Sequence, residues 1–397
     1  MPHGVSYLSV KYGPYFTDKY STPWGDAVNL DDADSGPVRS FVIDNALLWL
    51  RDYHADGLRL DAVHAIVDTS AVHILEELGM RVSELAAHVG RPLFLIAESD
   101  LNDPRVVARR EVGGYGMDAQ WSDDFHHALH SALTGEKSGY YADFGGLADV
   151  ARALQSVFVY GGSYSPHRRR VHGRPVPADM PGTRFLGYLQ NHDQVGNRAV
   201  GERSSHLMSY GRLKVGAALV LLSPFVPMLF QGEEWGASTP FQYFTDHADA
   251  SLGQAVSKGR RREFASFGWS PDDVPDPQAA STYERSRLRW DELAEPSHAE
   301  LLEWHRSLIE LRRSEPALSD GRLDLVSVRV DETAGWLAMQ RGPVTLACNI
   351  GAVEAVIPVE GALLVASDSY VHFDEVAGRV ALPADNCAVF RVPTDTP

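Results

Sequence analysis

The sequence predicts an α/β protein, a parallel (β/α)8 barrel of the TIM type, followed by an all-β domain. Three observations predict it. Helix-like and strand-like segments alternate from about residue 37 to 312, as in parallel α/β folds. Polar residues collect at the ends of the predicted strands: Asp61, Glu98 and Ser99, Gln120, Asn191 to Asp193, Glu233 and Glu234. That is the face on which such a barrel carries its site. After about residue 316 the pattern changes to short strands separated by turns. An open doubly wound sheet would instead carry a glycine-rich phosphate loop after its first strand, and no G-x-G-x-x-G or Walker-type loop occurs.

Each element follows from its own pattern. "PVRSFVIDNALLWLRDYH" has apolar residues at helical spacing, with Pro37 near its start. "DGLRLDAV" is a short strand, "SAVHILEELGMRVSELAAHVG" a helix stopped near Gly90, and "PLFLIAESD" a continuous apolar strand buried on both faces. "DAQWSDDFHHALHSALTG" gives a strand end and a helix, "VARALQSVFVY" a helix, "RFLGYLQNHD" a strand, "MSYGRLKVGAALVLLS" a helix and "VPMLFQGEE" a strand. "HAELLEWHRSLIELRRS" closes the series as a helix. Residues 237 to 297 form a long loop region of the kind that is functional or holds small helices. The basic cluster "SPHRRRVHGR" (165–174) reads as a mobile surface loop. "RLDLVSVRV", "GWLAMQR", "PVTLACNI", "AVEAVIPV", "ALLVAS", "RVALPA" and "CAVFRV" are the strands of the second domain.

The composition is that of a globular protein, 44% hydrophobic and 22% charged over 397 residues. Net charge is −17, from 36 Lys+Arg and 53 Asp+Glu. That disfavours nucleic acid and anionic membrane as partners, which need basic patches, and suits a neutral substrate such as a sugar. Cys348 and Cys387 have no metal-ligand spacing and sit in apolar strands, so buried free thiols are expected. No leader-like segment or apolar run of about 18 residues appears, which predicts a cytoplasmic protein.

In "DGLRLDAVHAI", Leu58 and Leu60 alternate with Arg59 and Asp61. On a strand the leucines face one way and the cation and carboxylate the other. Burying such a pair adds little stability, so the pair asks for a chemical role. Asp61, Glu98 and Asp193 are carboxylates at three strand ends. Glycoside hydrolysis needs two carboxyl groups of unequal acidity, about 5–5.5 Å apart in a retaining enzyme. Arg59 favours an ionised, nucleophilic Asp61. Glu98 follows the apolar run "LFLIA", where partial burial would keep a general acid protonated. His192 and Asp193 can hydrogen-bond sugar hydroxyls and stabilise positive charge as the bond breaks. Trp24, Trp121, Trp235, Phe241 and Phe244 are candidate ring surfaces for a sugar, with Trp121 among the better placed.

"DGLRLDAVHAI", "LFLIAESD", "FLGYLQNHDQVGNRAVGER" and "FQGEEWGASTPFQYFTDH" resemble the α-amylase-type glycoside hydrolases. "QNHDQVGNR" with "GER", "GEEWGASTPF" with "FTDH", and "GRRREFASFGW" narrow the resemblance to malto-oligosyltrehalose trehalohydrolases. It runs along nearly the whole chain. It implies Asp61 as nucleophile, Glu98 as acid/base and Asp193 as transition-state stabiliser, with Arg59, His64, Asn191 and His192 around the substrate. It also implies cleavage of the α-1,4 bond next to a terminal trehalose unit, with malto-oligosyltrehalose or a related α-glucan as partner and no cofactor. "DDADSG" (31–36) lacks a calcium-loop spacing and reads as a solvated turn. The rival readings are a 1,4-α-glucan branching enzyme or other α-glucan hydrolase, and a remnant that only binds α-glucan.

The resemblance also implies a partial barrel. The nucleophile strand would be the fourth of eight, and only strands ending near 61, 98, 121, 193 and 231 precede the all-β part. The expected organisation is a barrel domain over 1–315 lacking its first three strands, then a β-sandwich over 316–397. The opening segment looks like the loop after a third strand, and His3 does not replace the Asn-His pair of that strand. Open sheet edges and uncovered apolar faces predict a poorly stable or self-associating polypeptide.

Overall fold

The computed structural model describes residues 13–22, 25–265, 270 and 272–393. His3, Trp24 and the opening twelve residues lie outside them. The elements are, in chain order, β1 (Phe16–Thr22), β2 (Gly25–Val28), α1 (Ser35–Arg51), β3 (Gly57–Leu60), α2 (Ile74–Val89), β4 (Phe94–Ala97) and β5 (Ala119–Trp121). Then come α3 (Asp123–Thr134), α4 (Leu147–Ser156), β6 (Ser163–Ser165), β7 (Arg170–His172), β8 (Phe185–Gly187) and α5 (His192–Gly196). They are followed by α6 (Tyr210–Leu221), β9 (Val226–Pro227), α7 (Ala250–Ala265), α8 (Ala280–Ser286) and α9 (Pro296–Ser314). The C-terminal strands are β10 (Val326–Asp331), β11 (Trp336–Arg341), β12 (Val344–Asn349), β13 (Ala355–Pro358), β14 (Ala362–Ala366), β15 (His372–Asp374), β16 (Arg379–Leu382) and β17 (Asn386–Arg391). They form two compact units, 1–123 with 160–186, and 124–159 with 187–397.

The first unit is built on a parallel sheet. β3 pairs with β4 in the register Gly57↔Phe94 to Leu60↔Ala97, β4 with β5, and β5 with the start of β8. Gly57 opens β3 because a Cβ there would stand 2.8 Å from the Phe94 carbonyl oxygen. The crossover helix α2 buries Ile74, Leu75, Leu78, Gly79 and Val82, one stripe at helical spacing. His73 caps its start, accepting from Leu75 N–H through Nδ1, and Gly90 ends it at φ 69. The predicted mobile loop at 165–174 is instead largely the antiparallel hairpin β6–β7, paired from Ser163↔His172 to Ser165↔Arg170. Its fixing contacts are long-range and therefore leave no local signature. "DDADSG" is an exposed turn at 32–34, as expected, except at its first residue. The Asp31 side chain is 2% exposed and accepts hydrogen bonds from Tyr20 and Thr69.

In the second unit α6 is buried along nearly its whole length, from Leu213 to Leu221, as an apolar core helix must be. Gly187 at the end of β8 accepts a 2.9 Å hydrogen bond from Met228 N–H beside β9. The expected long loop at 237–297 holds two helices, α7 and α8. The sequence hides α7 because "ASLGQAVSKGRRREFA" is polar and basic on most sides. The C-terminal strands form a β-sandwich, one sheet in the order β10-β11-β12-β17-β14 and a second in the order β13-β16-β15. Ala338, Ala347, Ile357, Val380, Leu382, Ala388 and Phe390 fill the space between them. Cys348 and Cys387 face each other across β12 and β17 as buried free thiols. β15 is a strand that the sequence pattern did not disclose. Arg341, on β11 and 2% exposed, donates to the carbonyls of Leu222, Ser223 and Leu318, tying the sandwich to the end of α6.

Candidate active site

Parallel pairing sets the geometry. Arg59 lies opposite Ile96, so the residues just past the strands, Asp61 after β3 and Glu98 after β4, emerge from neighbouring strand ends. The chain then bends sharply. Ala62 adopts φ 43, a left-handed conformation that a non-glycine residue takes only under tertiary constraint. The constraint is visible. Ala62 N–H donates to Glu98 Oε2 at 2.7 Å, and Val63 N–H to the Glu98 carbonyl at 3.0 Å.

Arg59 joins the two carboxylates. Its Nη1 donates to Asp61 Oδ1 and its Nη2 lies 2.7 Å from Glu98 Oε1. One guanidinium touching both limits their separation to a guanidinium and two hydrogen bonds, which admits the about 5–5.5 Å of a retaining pair. The two groups differ in surroundings. The Asp61 side chain is 79% exposed and that of Glu98 only 16%. Asp61 is open to an incoming atom, whereas Glu98 is gripped by a backbone amide and by Arg59. The ring of Trp121 lies 4.7 Å from the Arg59 guanidinium carbon, a cation–π contact that fixes the fork.

Behind Glu98 a second set of contacts holds the hairpin. Arg168 Nη1 donates to Asp100 Oδ2 at 2.9 Å, and His172 Nε2 to the Asp100 carbonyl at 2.9 Å. Burial works to raise the Asp100 carboxyl, but the Arg168 and His64 charges outweigh it and hold it below its ordinary value. His64 Nδ1 is 3.8 Å from Asp100 Oδ1, so His64 faces Asp100 at the rim of the site. The sequence reading missed Asp100, although its place two residues past Glu98 at the same strand end was the available signal.

Asp193 lies in the second unit, in the first turn of α5. Asn191 is the N-cap, and its Oδ1 accepts from Asp193 N–H at 2.9 Å and Gln194 N–H at 3.2 Å. His192 Nε2 is 3.6 Å from Asp193 Oδ1, and both side chains are nearly half exposed. The structure thus brings Arg59, Asp61, Glu98 and Trp121 together in one unit and Asn191, His192 and Asp193 in the other.

Three expected sugar-contacting residues are placed differently. Asn191 is buried and its side-chain oxygen is committed to capping α5. Trp121 is 5% exposed and its ring meets Arg59. Trp235 is 2% exposed and its ring packs 5.2 Å from that of Trp290. A buried indole is a packing element, and spacing alone does not separate it from an exposed one. Phe241 packs edge-on to Phe230, and Phe244 to Tyr283. The "GER" arginine, Arg203, is buried and donates to the Thr239 and Gln231 carbonyls, so that motif shapes the 231–239 loop. Among the described residues no group of His, Cys, Asp or Glu side chains could hold a metal ion, and no helix is long and apolar enough to cross a membrane.

Comparison with known proteins agrees with this geometry. A malto-oligosyltrehalose trehalohydrolase of Mycobacterium tuberculosis is 51% identical over 382 residues, 96% of this chain and 65% of its own length. One from Arthrobacter ramosus is 52% identical over 383 residues, again 96% and 65%. A Salmonella typhimurium crystal structure assigned as an α-amylase superposes with TM-score 0.86 at 36% identity, over 98% of this chain and 65% of that one. No family model matches the chain. Parallel strands ending in an Arg-x-Asp and a Glu, followed along the chain by a β-sandwich, are the arrangement of the α-amylase-type glycoside hydrolases, which this chain resembles in fold. In sequence it is extensively similar to proteins named malto-oligosyltrehalose trehalohydrolase. The chain spans just under two thirds of the length of these relatives.

Proposed function

We propose that the chain carries the carboxylate machinery of a retaining glycoside hydrolase that cleaves the α-1,4 bond next to the terminal trehalose of malto-oligosyltrehalose. The observation that carries this reading is the Arg59 fork holding Asp61 and Glu98 at adjacent strand ends. The exposed Asp61 carboxylate attacks the anomeric carbon while Glu98, in its acid form, gives its proton to the departing glycosidic oxygen. Trehalose leaves and a glycosyl ester of Asp61 remains. Glu98, now a carboxylate, takes a proton from water. The resulting hydroxide attacks the same carbon, releases the glucan chain and restores both carboxyl groups. The resemblance gives Asp193 the role of stabilising the positive charge that develops on the sugar ring. The named activity of the relatives supports trehalose as the product and trehalose formation from α-glucan as the role.

The test is incubation with malto-oligosyltrehalose and chromatography of the products. Free trehalose is expected from the chain and none from Asp61→Asn. Glucose, maltose or new branch points in place of trehalose would assign another member of the same family. No product of any kind would remove the catalytic reading.

A further inference from the structure

A cavity of about 430 Å³ opens within the second unit. That size lies in the range of small-molecule sites. It is lined by the turn after α3, with Glu136, Ser138 and Tyr140, and by the segment after α5, with Asn197, Arg198 and Glu202. Three of the lining residues, Glu136, Arg198 and Glu202, belong to a chain of ionic contacts that continues to His130. Glu136 Oε2 accepts from His130 Nε2 at 2.8 Å and from Arg198 Nη1 at 2.9 Å, and Arg198 Nε lies 3.5 Å from Glu202 Oε2. These planar groups are oriented by each other before any ligand arrives, so binding need not order them. The His130 hydrogen bond, aided by Arg198, holds Glu136 down to about 2, so it is an acceptor across the working pH range. The lining includes Tyr140, a residue 40% exposed whose ring also packs 4.9 Å from that of His127 and 4.5 Å from that of Tyr141.

We propose that this cavity is a second carbohydrate site, taking one or two units of a neutral glucan. The Tyr140 ring offers a flat apolar surface to the C–H face of a sugar. Carboxylates accept from sugar hydroxyls, while Arg198 and Asn197 donate to them. Glu136, Glu202 and Glu263 outnumber Arg198 among the lining charges, which works against phosphorylated sugars. The site also adjoins one residue of the catalytic machinery proposed above. Asn197 is the C-cap of α5, and its N–H donates to the Asp193 carbonyl at 2.8 Å. A glucan held here rests against the helix that bears Asp193. The assignment goes beyond the strand-end reading, because no step of hydrolysis uses the cavity.

The experiment is calorimetric titration of the Asp61→Asn chain, which cannot turn the sugar over, with maltotriose and with glucose 6-phosphate. Tyr140→Ala and Asn197→Ala, added singly, are expected to weaken one class of maltotriose site at least about tenfold. Tyr140→Phe, which keeps the ring, is expected to retain it, and glucose 6-phosphate to bind far more weakly. Thermal midpoints identify any variant whose loss is a folding defect, and the remaining variants then decide. Maltotriose binding unchanged in both alanine variants, or glucose 6-phosphate binding as tightly as maltotriose, overturns the proposal. If these variants behave as expected while the unsubstituted chain releases no trehalose, the catalytic reading fails and this site stands.

Discussion

One guanidinium, that of Arg59, touches both carboxylates on which the proposed chemistry depends, and its geometry is what lysine cannot copy. Lysine is a point charge on a flexible stem and does not span two acceptors as a planar fork does. Arg59→Lys is therefore expected to lower the rate of trehalose release by about 10²-fold with the fold retained. Glu98→Gln, which removes the proton donor, is expected to lose about 10²–10⁴-fold. Initial rates alongside circular dichroism check both, and full activity in the Arg59→Lys chain would show that the fork is dispensable. Glu233 makes a different prediction. Burial pushes its carboxyl up to about 8, from an ordinary value of 4.5. Between those values the folded chain holds a proton that the unfolded chain has released, so stability falls as pH rises through that window and levels off above it. Below about 4.5 the contribution is complete. The loss is on the order of 5 kcal/mol. Glu233→Gln removes the titration, so its thermal midpoint should change less than that of the parent between pH 5 and 8.5. Glu136, held down by His130, acts with the opposite sign and only in acid.

Among the elements, the β6–β7 hairpin shows why a local reading fell short. Its sequence is basic and glycine-flanked, and nothing within it demands order. Order comes from Asp100, a residue 68 positions before Arg168, through the Arg168 side chain and the His172 ring. Asp100→Ala is expected to speed amide exchange across 163–172 while β4 amides stay protected. Equal protection in the two chains would mean the hairpin is held by something else. The crossover helices are the opposite case. Their apolar stripes and stop signals, such as Gly90 after α2, are local and were legible. So were the strand ends, because a polar residue closing an apolar run is a local event. The α5 cap was not, since Asn191 could serve a sugar or a helix and only the folded chain shows which.

At the scale of the whole molecule, the first unit leaves apolar surface uncovered. β3 stands at the margin of the parallel sheet, and Phe41 and Trp49 on α1, with Tyr53 just beyond it, are 58%, 48% and 65% exposed. A strand edge with no partner strand among the described residues, together with exposed apolar side chains, favours association. The chain is expected to self-associate at micromolar concentration, and Trp49→Lys to reduce that. Sedimentation velocity across a concentration series measures it, and a monomer at every concentration would contradict it. The sandwich is fastened by Arg341, which burial lowers to about 10 yet which is satisfied by several carbonyls.

The sequence by itself determined the main alternation of strands and helices, the strands of the sandwich that follows, and the carboxylates Asp61 and Glu98 just past two strand ends. Each of those is written in the periodicity or termination of a single segment. Only the tertiary structure decided that one arginine serves both Asp61 and Glu98, that Trp121 and Trp235 are packed rather than presented, and that a basic loop is a pinned hairpin. Those outcomes depend on which side chains meet across long stretches of chain, and that is a property of packing that no local pattern encodes.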